Sequence, residues 1–164
     1  MTISETLLPE FDEEMKTTRR VIERVPGEKG DWKPHEKSFS LAHLTQLVAT
    51  MPGWLTRIVK GEDINLSEGA GYSNQTTASL LEQFDKHVGE ARAVIAAAGD
   101  EEYAKPWSLK MGDKVLFSLP RSVVTRQTIN HLVHHRGQLT VYLRLVDVPV
   151  PSVYGPTADE PWGS

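Results

Sequence analysis

The sequence predicts an all-α fold, a four-helix bundle in a single domain over residues 1–164, with a small irregular or hairpin insertion between the third and fourth helices. Three observations lead to this prediction. The chain has 164 residues, which suits one domain. Four segments carry apolar residues at alternating spacings of three and four, which is the pattern of amphipathic helices that pack in a bundle. Between the last two of these segments the pattern changes to that of short strands.

The first two helical segments have recognisable ends. The first carries a mostly apolar seam down one face, and Pro26-Gly27 ends it. A loop follows, and Ser40 or Ser38 is the expected N-cap of the second helix. That helix is expected to stop at Gly61. Pro52 inside it should kink the helix or split off its last turn, because proline removes a backbone donor.

The third helix has two competing starts. Its apolar seam is expected to begin at Thr76 or Thr77 and to end at Gly99. Ser79 and Glu82 have the spacing of a capping box, so a start at Ser79 is the alternative.

The segment after the third helix reads as a hairpin. Trp107–Met111 and Lys114–Ser118 flank Gly112-Asp113, which is typical of a tight turn between two strands. An isolated hairpin is marginally stable, so this one is expected to lie against the helices. The fourth helix is expected from about Arg121 to Leu145, and the proline-rich tail over residues 149–164 is expected to be extended and bound to the surface.

Composition limits the chemistry that the chain can perform. Lys and Arg total 18 and Asp and Glu total 22, which gives a net charge of −4. Because this charge repels phosphate backbones, no nucleic-acid partner is expected. The chain has no cysteine, so a metal must be held by nitrogen and oxygen ligands. The longest apolar stretches are too short to span a bilayer and the N-terminal segment is acidic, so no membrane partner is expected and the expected location is the cytoplasm.

Three of the six histidines fall within Asn130–Gln138 of the fourth helix. His131 and His135 are four residues apart, so their Cβ atoms lie about 5–6 Å apart on one face. Metal–nitrogen bonds are about 2.0–2.1 Å long, so both imidazoles can reach one ion. At about 100° per residue, His131 lies on the edge of the apolar stripe and His135 lies inside it. Both are therefore expected to point into the bundle, with His134 beside the stripe.

A third ligand should come from a facing helix, and His43 is the candidate because it borders the apolar stripe of the second helix. His35 lies in a proline-containing loop and His87 lies beside charged residues, so these two fit less well. The alternative is that the inward histidines are core residues that hydrogen-bond to the backbone, to Tyr142 or to Gln138.

Several polar and aromatic residues are further candidates for a pocket. The polar ones are either pocket contacts or solvent-facing side chains; they are Gln46, Gln127, Asn130 and Gln138. The large aromatic ones either wall a pocket or pack in the core; they are Trp32, Trp54 and Trp107. Arg136 is expected to project away from the apolar stripe, where it pairs across a dimer or is solvated. Gly137 costs the helix roughly 1 kcal/mol relative to alanine, which close helix packing would explain.

The two histidine-bearing segments, Ser40–Leu44 and Asn130–Leu139, together resemble those of the DinB-like family of bacterial proteins. The ending Val148–Pro156 is similar to the tail common in that family, so the likeness covers essentially the whole chain. The resemblance implies a four-helix bundle that binds one divalent metal ion, typically nickel or zinc, through three histidines. Carried over to this sequence, the three ligands are His43, His131 and His135, which are also the residues that helical phase selects.

The same resemblance implies a function. Related proteins are often homodimers, and some are thiol S-transferases that use low-molecular-weight thiols such as bacillithiol or mycothiol. Three neutral imidazoles leave coordination positions open, as in catalytic sites, and such an ion lowers the pKa of a bound water or thiol. The expected function is a metal-dependent enzyme of the thiol S-transferase or hydrolase type that acts on an unidentified small molecule. The alternative is a non-catalytic metal-binding stress-response protein with a closed site.

Overall fold

The computed structural model describes residues 1–69 and 71–161, and these form a mostly helical fold with one small sheet. Four long helices and one short helix are present in this part of the chain: α1 (Ile3–Glu23), α2 (Leu41–Lys60), α3 (Thr77–Ala97), the short α4 (Asp100–Ala104) and α5 (Arg121–Leu145). Three strands form the sheet: β1 (Ile64–Asn65), β2 (Pro106–Met111) and β3 (Lys114–Pro120). None of the described helices is both long and apolar enough to cross a membrane.

The ends of the helices follow from local hydrogen bonds. The Ser40 hydroxyl caps α2 by accepting the N–H of His43, and the Thr76 hydroxyl caps α3 by accepting the N–H of Ser79. The start of α3 at Thr77 is therefore confirmed, and the alternative start at Ser79 is wrong. The expected split of α2 at Pro52 is also wrong, because both halves of the helix bury side chains in the same core, which outweighs one missing hydrogen bond.

The four long helices share one apolar core. Both α1 and α2 pack against α3 and α5. Each helix contributes fully buried side chains to the centre, for example Phe11, Leu44, Phe84 and Leu139. The mostly helical character that the apolar seams predict is confirmed, and α4 is an addition that the seams did not reveal.

The sheet shows that the all-α prediction is incomplete. Strands β2 and β3 pair antiparallel on either side of Gly112, so the predicted hairpin is present. Strand β1, which follows α2, pairs parallel with β2 and brings Ile64 opposite Leu109. A strand of two residues shows no alternation that a sequence pattern could reveal.

One face of the sheet lies against the helices, as the hairpin prediction requires. Ile64 and Trp107 are buried on this face, where they form a second small core with Ile58 of α2 and Val124 of α5. Leu109 packs against the same cluster. Successive residues of a strand point to opposite sides, and on the opposite face Ser118 is exposed while Ser108 and Lys110 are half-buried.

The tail after α5 is held to the helices by two carboxylates. Asp159 forms an ion pair with Arg144 of α5 and accepts the N–H of Val150 at 2.9 Å. Glu160 accepts the N–H of Ser152 at 2.8 Å and forms an ion pair with Arg20 of α1. The tail is therefore bound to the surface as predicted, with residues 162–164 outside the described part.

We expect the tail to loosen in acid. The ion pair with Arg144 lowers the pKa of Asp159, and the hydrogen bond from the Ser152 N–H lowers the pKa of Glu160. A carboxylate whose pKa is lowered by folding stabilises the folded state above its unfolded pKa of about 4, and this contribution is lost as the pH falls through the folded pKa. Amide exchange at Val150 and Ser152, corrected for intrinsic rates, measures the effect.

Two controls accompany this measurement. The core amide of Leu139 should stay protected at the same pH, which separates tail release from global unfolding. In the variants Asp159→Asn and Glu160→Gln, the tail amides should be less protected from exchange already near neutral pH. If the protection of the Val150 and Ser152 amides from exchange stayed constant between about pH 6 and about pH 3, the prediction would be contradicted.

Candidate metal centre

The two α5 histidines that the sequence pattern pairs, His131 and His135, meet in the structure. Their Nε2 atoms are 2.8 Å apart, and their ring centroids are 4.6 Å apart. Bonds of about 2.0–2.1 Å to one ion would hold two nitrogens about 2.9 Å apart at a right angle and about 3.3 Å apart at the tetrahedral angle. The pair therefore fits two neighbouring ligand positions of a single ion.

Gln138 orients the His135 ring. Its side-chain oxygen lies 2.8 Å from Nδ1 of His135, and its amide nitrogen lies 3.1 Å from Nε2 of His134. An amide oxygen can only accept, so Nδ1 of His135 carries the proton and its Nε2 presents a lone pair. Gln138 is thus a contact of the histidine pair, which is one of the two roles that the sequence allowed.

The surroundings of His131 favour its neutral form. Solvent reaches this imidazole from one side, but burial on its other side lowers its pKa, and the neighbouring His135 and His134 add to the lowering. The neutral imidazole is the form that binds a metal. Protons therefore compete less with a metal at this residue than at an ordinary histidine.

His43 lies on α2, the helix that packs against α5. Its ring sits between two aromatic rings, with centroids 4.2 Å from that of Phe39 and 4.7 Å from that of Tyr72. Across residues 1–69 and 71–161, no three His, Asp or Glu side chains are grouped closely enough to hold a metal ion. The structure thus brings together two of the three predicted ligands and leaves the third in a ring stack.

The remaining histidines have other surroundings. Nδ1 of His35 accepts the N–H of Lys37 within its loop, at 3.1 Å. The His87 ring on α3 faces Gly53 of α2, with three ring atoms 3.4 Å from where a Cβ on that glycine would be. Neither of these contacts involves His131 or His135.

Two clefts adjoin two of the predicted ligands, His131 and His43. The apolar cleft has a volume of about 320 Å³ and includes His131; its other lining residues are Trp54, Ile58, Ile64, Trp107, Leu109, Phe117, Val124, Gln127 and Thr128. The polar cleft has a volume of about 540 Å³ and includes His43; its other lining residues are Gln46, Leu47, Thr50, Trp54, Gly69, Gly71, Tyr72, Ser73, Gln75 and Gln83. Trp54 lines both clefts, which are therefore neighbours.

These clefts decide between the roles left open for several residues. Trp54 and Trp107 wall a cleft, whereas Trp32 packs edge-on against Tyr142 beside the main core. Gln46 and Gln127 line clefts, while Asn130 is exposed.

The orientation of α5 differs from the prediction. His131 is exposed and His135 is half-buried, so neither points into the core as expected. With His131 at 0° and about 100° per residue, the buried residues of α5 centre at about +100°. The predicted stripe, formed by Val124, Leu132, Leu139, Tyr142 and Val146, centred at about +50°. Ile129 and Leu143 lie on the buried side and were missing from the predicted stripe. Relative to the prediction, α5 is turned about its axis so that the histidine pair lies at the edge of the core, where the clefts open.

The prediction for Arg136 is wrong. Its side chain is 1% exposed and forms a 2.6 Å ion pair with Glu14 of α1. The guanidinium also donates to the Thr18 hydroxyl at 3.2 Å and to the Tyr154 hydroxyl at 2.8 Å. A charged residue was assigned to the outer face, but a buried charge is stable when it is paired and hydrogen-bonded. Next to it, a Cβ on Gly137 would meet no atom within 4 Å, so close helix packing does not explain this glycine.

Sequence reasoning missed some of the residues around the site. Phe39 and Tyr72 hold the His43 ring, and both lie outside the regular elements, where no periodicity marks them. Ile64 reaches the apolar cleft through the two-residue strand β1. Phe117 belonged to the predicted hairpin, and its assignment to a cleft needed the register of the sheet.

Comparisons with known proteins agree with this architecture. The sequence model described as "DinB family" matches residues 1–162. Among curated proteins, the uncharacterized protein YrdA of Bacillus subtilis (strain 168) is 40% identical over 42 residues. That match covers 26% of this chain and 25% of YrdA, so the alignment spans about a quarter of the relative.

Two crystal structures have a similar fold. One is a DinB-like protein, YjoA, from Bacillus subtilis, with a TM-score of 0.69 and 18% identity over 90% of this chain and 97% of that one. The other is a DinB-like protein from Bacillus cereus ATCC 10987, with a TM-score of 0.72 and 17% identity over 92% and 97% of the two chains. At these identities the likeness concerns the fold.

Proposed function

The chain belongs to the DinB family, and from this premise we propose that it binds one divalent metal ion, nickel or zinc, through His43, His131 and His135. We further propose that it is a metal-dependent enzyme of the thiol S-transferase or hydrolase type. The observation that carries the proposal is the convergence of His131 and His135, whose Nε2 atoms are 2.8 Å apart beside a cleft of substrate size.

The chain's own residues prepare the ligands for this role. Gln138 holds Nδ1 of His135 as the protonated nitrogen, which leaves Nε2 of that ring for a metal. Burial, together with the neighbouring His135 and His134, lowers the pKa of His131 and so favours its neutral ring. The proposal requires one rearrangement, rotation of His43 out of its stack with Phe39 and Tyr72 towards α5. When bound, the ion supplies Lewis acidity that lowers the pKa of a water or thiol.

The clefts support an enzyme over a protein that binds metal for stability alone. A purely structural site is closed and needs no space for a substrate. Here the apolar cleft beside His131 has a volume of about 320 Å³, and the polar cleft beside His43 has a volume of about 540 Å³. The chain has no cysteine, so a thiol nucleophile would come from a low-molecular-weight cosubstrate.

Metal content tests the ligand assignment. Protein purified without a nickel-affinity column is expected to bind about one ion per chain. Each of His43→Ala, His131→Ala and His135→Ala should lower the affinity for nickel and zinc at least about tenfold, because each removes a ligand. The control variants are His134→Ala on the same helix and His35→Ala in the loop, which should retain the metal. Unchanged metal binding in the three ligand variants would refute the site.

A second measurement distinguishes an enzyme from a non-catalytic metal protein. Thermal unfolding with and without a chelator reports the contribution of the metal to stability. Turnover assays with a panel of low-molecular-weight thiols and ester substrates report catalysis. An enzyme should show turnover that is lost in His135→Ala. A lower melting temperature after chelation without turnover on any substrate would favour the stress-response alternative. The homodimeric state that we also propose is tested by sedimentation equilibrium.

A further inference from the structure

The apolar cleft indicates what kind of substrate group lies next to the histidine pair. We infer that it holds an uncharged apolar group of one or two rings, belonging to the small molecule on which the protein acts. The part of this inference that concerns the substrate rests on the proposed function, whereas binding of such a group to the cleft does not.

The walls of the cleft are aromatic and aliphatic. The Trp107 indole N–H donates to the Glu62 carbonyl at 2.8 Å, so this ring has no donor left for a ligand and offers apolar surface. Phe117 of β3 lies beside it, with ring centroids 6.2 Å apart, and Trp54 of α2 forms another wall. Aromatic rings pack favourably against other rings with centroids about 4.5–7 Å apart. Such walls favour a flat apolar group.

The polarity of the lining excludes a charged group. No Lys, Arg, Asp or Glu is among the residues that line this cleft. Its polar members are His131, Gln127 and Thr128, and the Thr128 hydroxyl already donates to the Val124 carbonyl at 2.8 Å. A charged group would lose its water here without gaining a partner, which is costly. Nε2 of His131 faces His135, which leaves Gln127 to meet one polar atom of the ligand.

The size of the cleft sets the size of the group. An apolar protein cavity of about 150 Å³ accommodates benzene. The volume here is about 320 Å³, within the usual range for ligand sites, so one or two rings fit. The Trp54 and His131 ring centroids are 6.3 Å apart, which places the imidazole directly beside the aromatic wall. A ring in the cleft would therefore hold its substituent next to the histidine pair.

Titration with 2-naphthol, an uncharged two-ring probe, tests the inference by calorimetry on the metal-free full chain. The wild-type protein should bind one equivalent. Phe117→Lys should weaken binding at least about tenfold, because it removes a wall and places a charge in the cleft. The matched control is Val115→Lys on the same strand. The register between β2 and β3 shifts by one residue after Leu109, which pairs with Phe117, so that Val115 pairs with Lys110 and lies on the opposite face of the sheet from Phe117. This variant should therefore change the affinity less than about twofold.

Exposure makes these two variants comparable. Phe117 is 37% exposed and Val115 is 50% exposed, so neither lysine is expected to unfold the protein. Circular dichroism of both variants checks this. No saturable binding to the wild type, or equal binding to wild type and Phe117→Lys, would overturn the inference.

A third variant separates this inference from the proposed function. His135→Ala should lower the metal affinity at least about tenfold but retain 2-naphthol affinity within about twofold, since His135 does not belong to the residues that line this cleft. Naphthol binding without any metal binding in the wild type would refute the proposed function alone. Metal binding without naphthol binding would refute the inference alone. In nickel-loaded protein, paramagnetic broadening of the naphthol proton resonances should show that the ring lies beside the metal; unbroadened resonances of bound naphthol would overturn its placement.

Discussion

Arg136→Ala is expected to lower the free energy of unfolding by about 3–5 kcal/mol, the typical cost of removing one partner from a buried ion pair. Arg136 is 1% exposed, and the Glu14 side chain that it faces is 13% exposed. Without the guanidinium, Glu14 would keep only the hydrogen bond that the Tyr154 hydroxyl donates to it at 2.8 Å. Urea denaturation followed by circular dichroism measures the loss.

The same pair of helices offers a matched control. Arg126 of α5 forms a 2.6 Å ion pair with Glu10 of α1, but both side chains are substantially exposed. Arg126→Ala should therefore cost at most about 1 kcal/mol. The double variant Arg136→Met with Glu14→Leu should recover much of the lost stability, because it removes both charges together. Equal losses for Arg136→Ala and Arg126→Ala would contradict the prediction.

Should Arg136→Ala fail to fold, Tyr154→Phe still tests the network. The Tyr154 hydroxyl accepts from Arg136 and donates to Glu14, so its removal breaks both bonds without leaving either charge unpaired. The expected loss is about 1–3 kcal/mol. A loss near zero would show that the bridging hydroxyl does not stabilise this ion pair.

Trp107→Ala is expected to cost about 3–5 kcal/mol, as is usual for removing a large buried aromatic side chain. Trp107 is 3% exposed, and its side chain joins the sheet to the helices through Ile58 and Val124. Its indole also donates to the Glu62 carbonyl, which ties β2 to the segment that precedes β1. Removing it should detach the sheet and open the apolar cleft while the histidine pair on α5 stays in place.

Two measurements check this second prediction. Urea denaturation gives the loss of stability, and amide exchange in β2 shows whether the sheet detaches before the helices unfold. Trp107→Phe is the conservative variant; it keeps a ring and loses the hydrogen bond, so it should cost about 1–2 kcal/mol. If Trp107→Ala weakened 2-naphthol binding no more than Val115→Lys does, the indole would not be a wall of the cleft.

Much of the helical framework could be predicted because it depends on local patterns. The seams located all four long helices. For two helix starts the sequence left alternatives open, and the structure selects Ser40 and Thr76 as the N-caps. The contact between His131 and His135 could also be predicted, since residues four apart on one helix always share a face. Which residues surround this pair depends on how α2, α5 and the sheet pack together, and no local sequence pattern predicts that packing.

The two clearest errors have one cause. The predicted stripe of α5 omitted Ile129 and Leu143, which shifted the predicted core towards the histidines and left Arg136 outside it. In the structure, Glu14 and Tyr154, which are far from Arg136 in the sequence, neutralise and hydrogen-bond the guanidinium. A partner supplied by tertiary structure cannot be read from one helix. Likewise, His43 was correctly placed on the facing helix, but its stacking with Tyr72 depends on a loop without periodicity.

The parallel pairing of β1 with β2 has a consequence for the order in which the protein folds. The hydrogen bond between Trp107 and Glu62 at this junction joins residues 45 positions apart, with α3 and α4 between them. Closing a long loop costs chain entropy before the contacts that it permits can compensate. The contacts within each helix and the turn of the hairpin are local and can form early. We therefore expect the helices to assemble first and the apolar cleft between the sheet and the helices to be completed in the last step of folding.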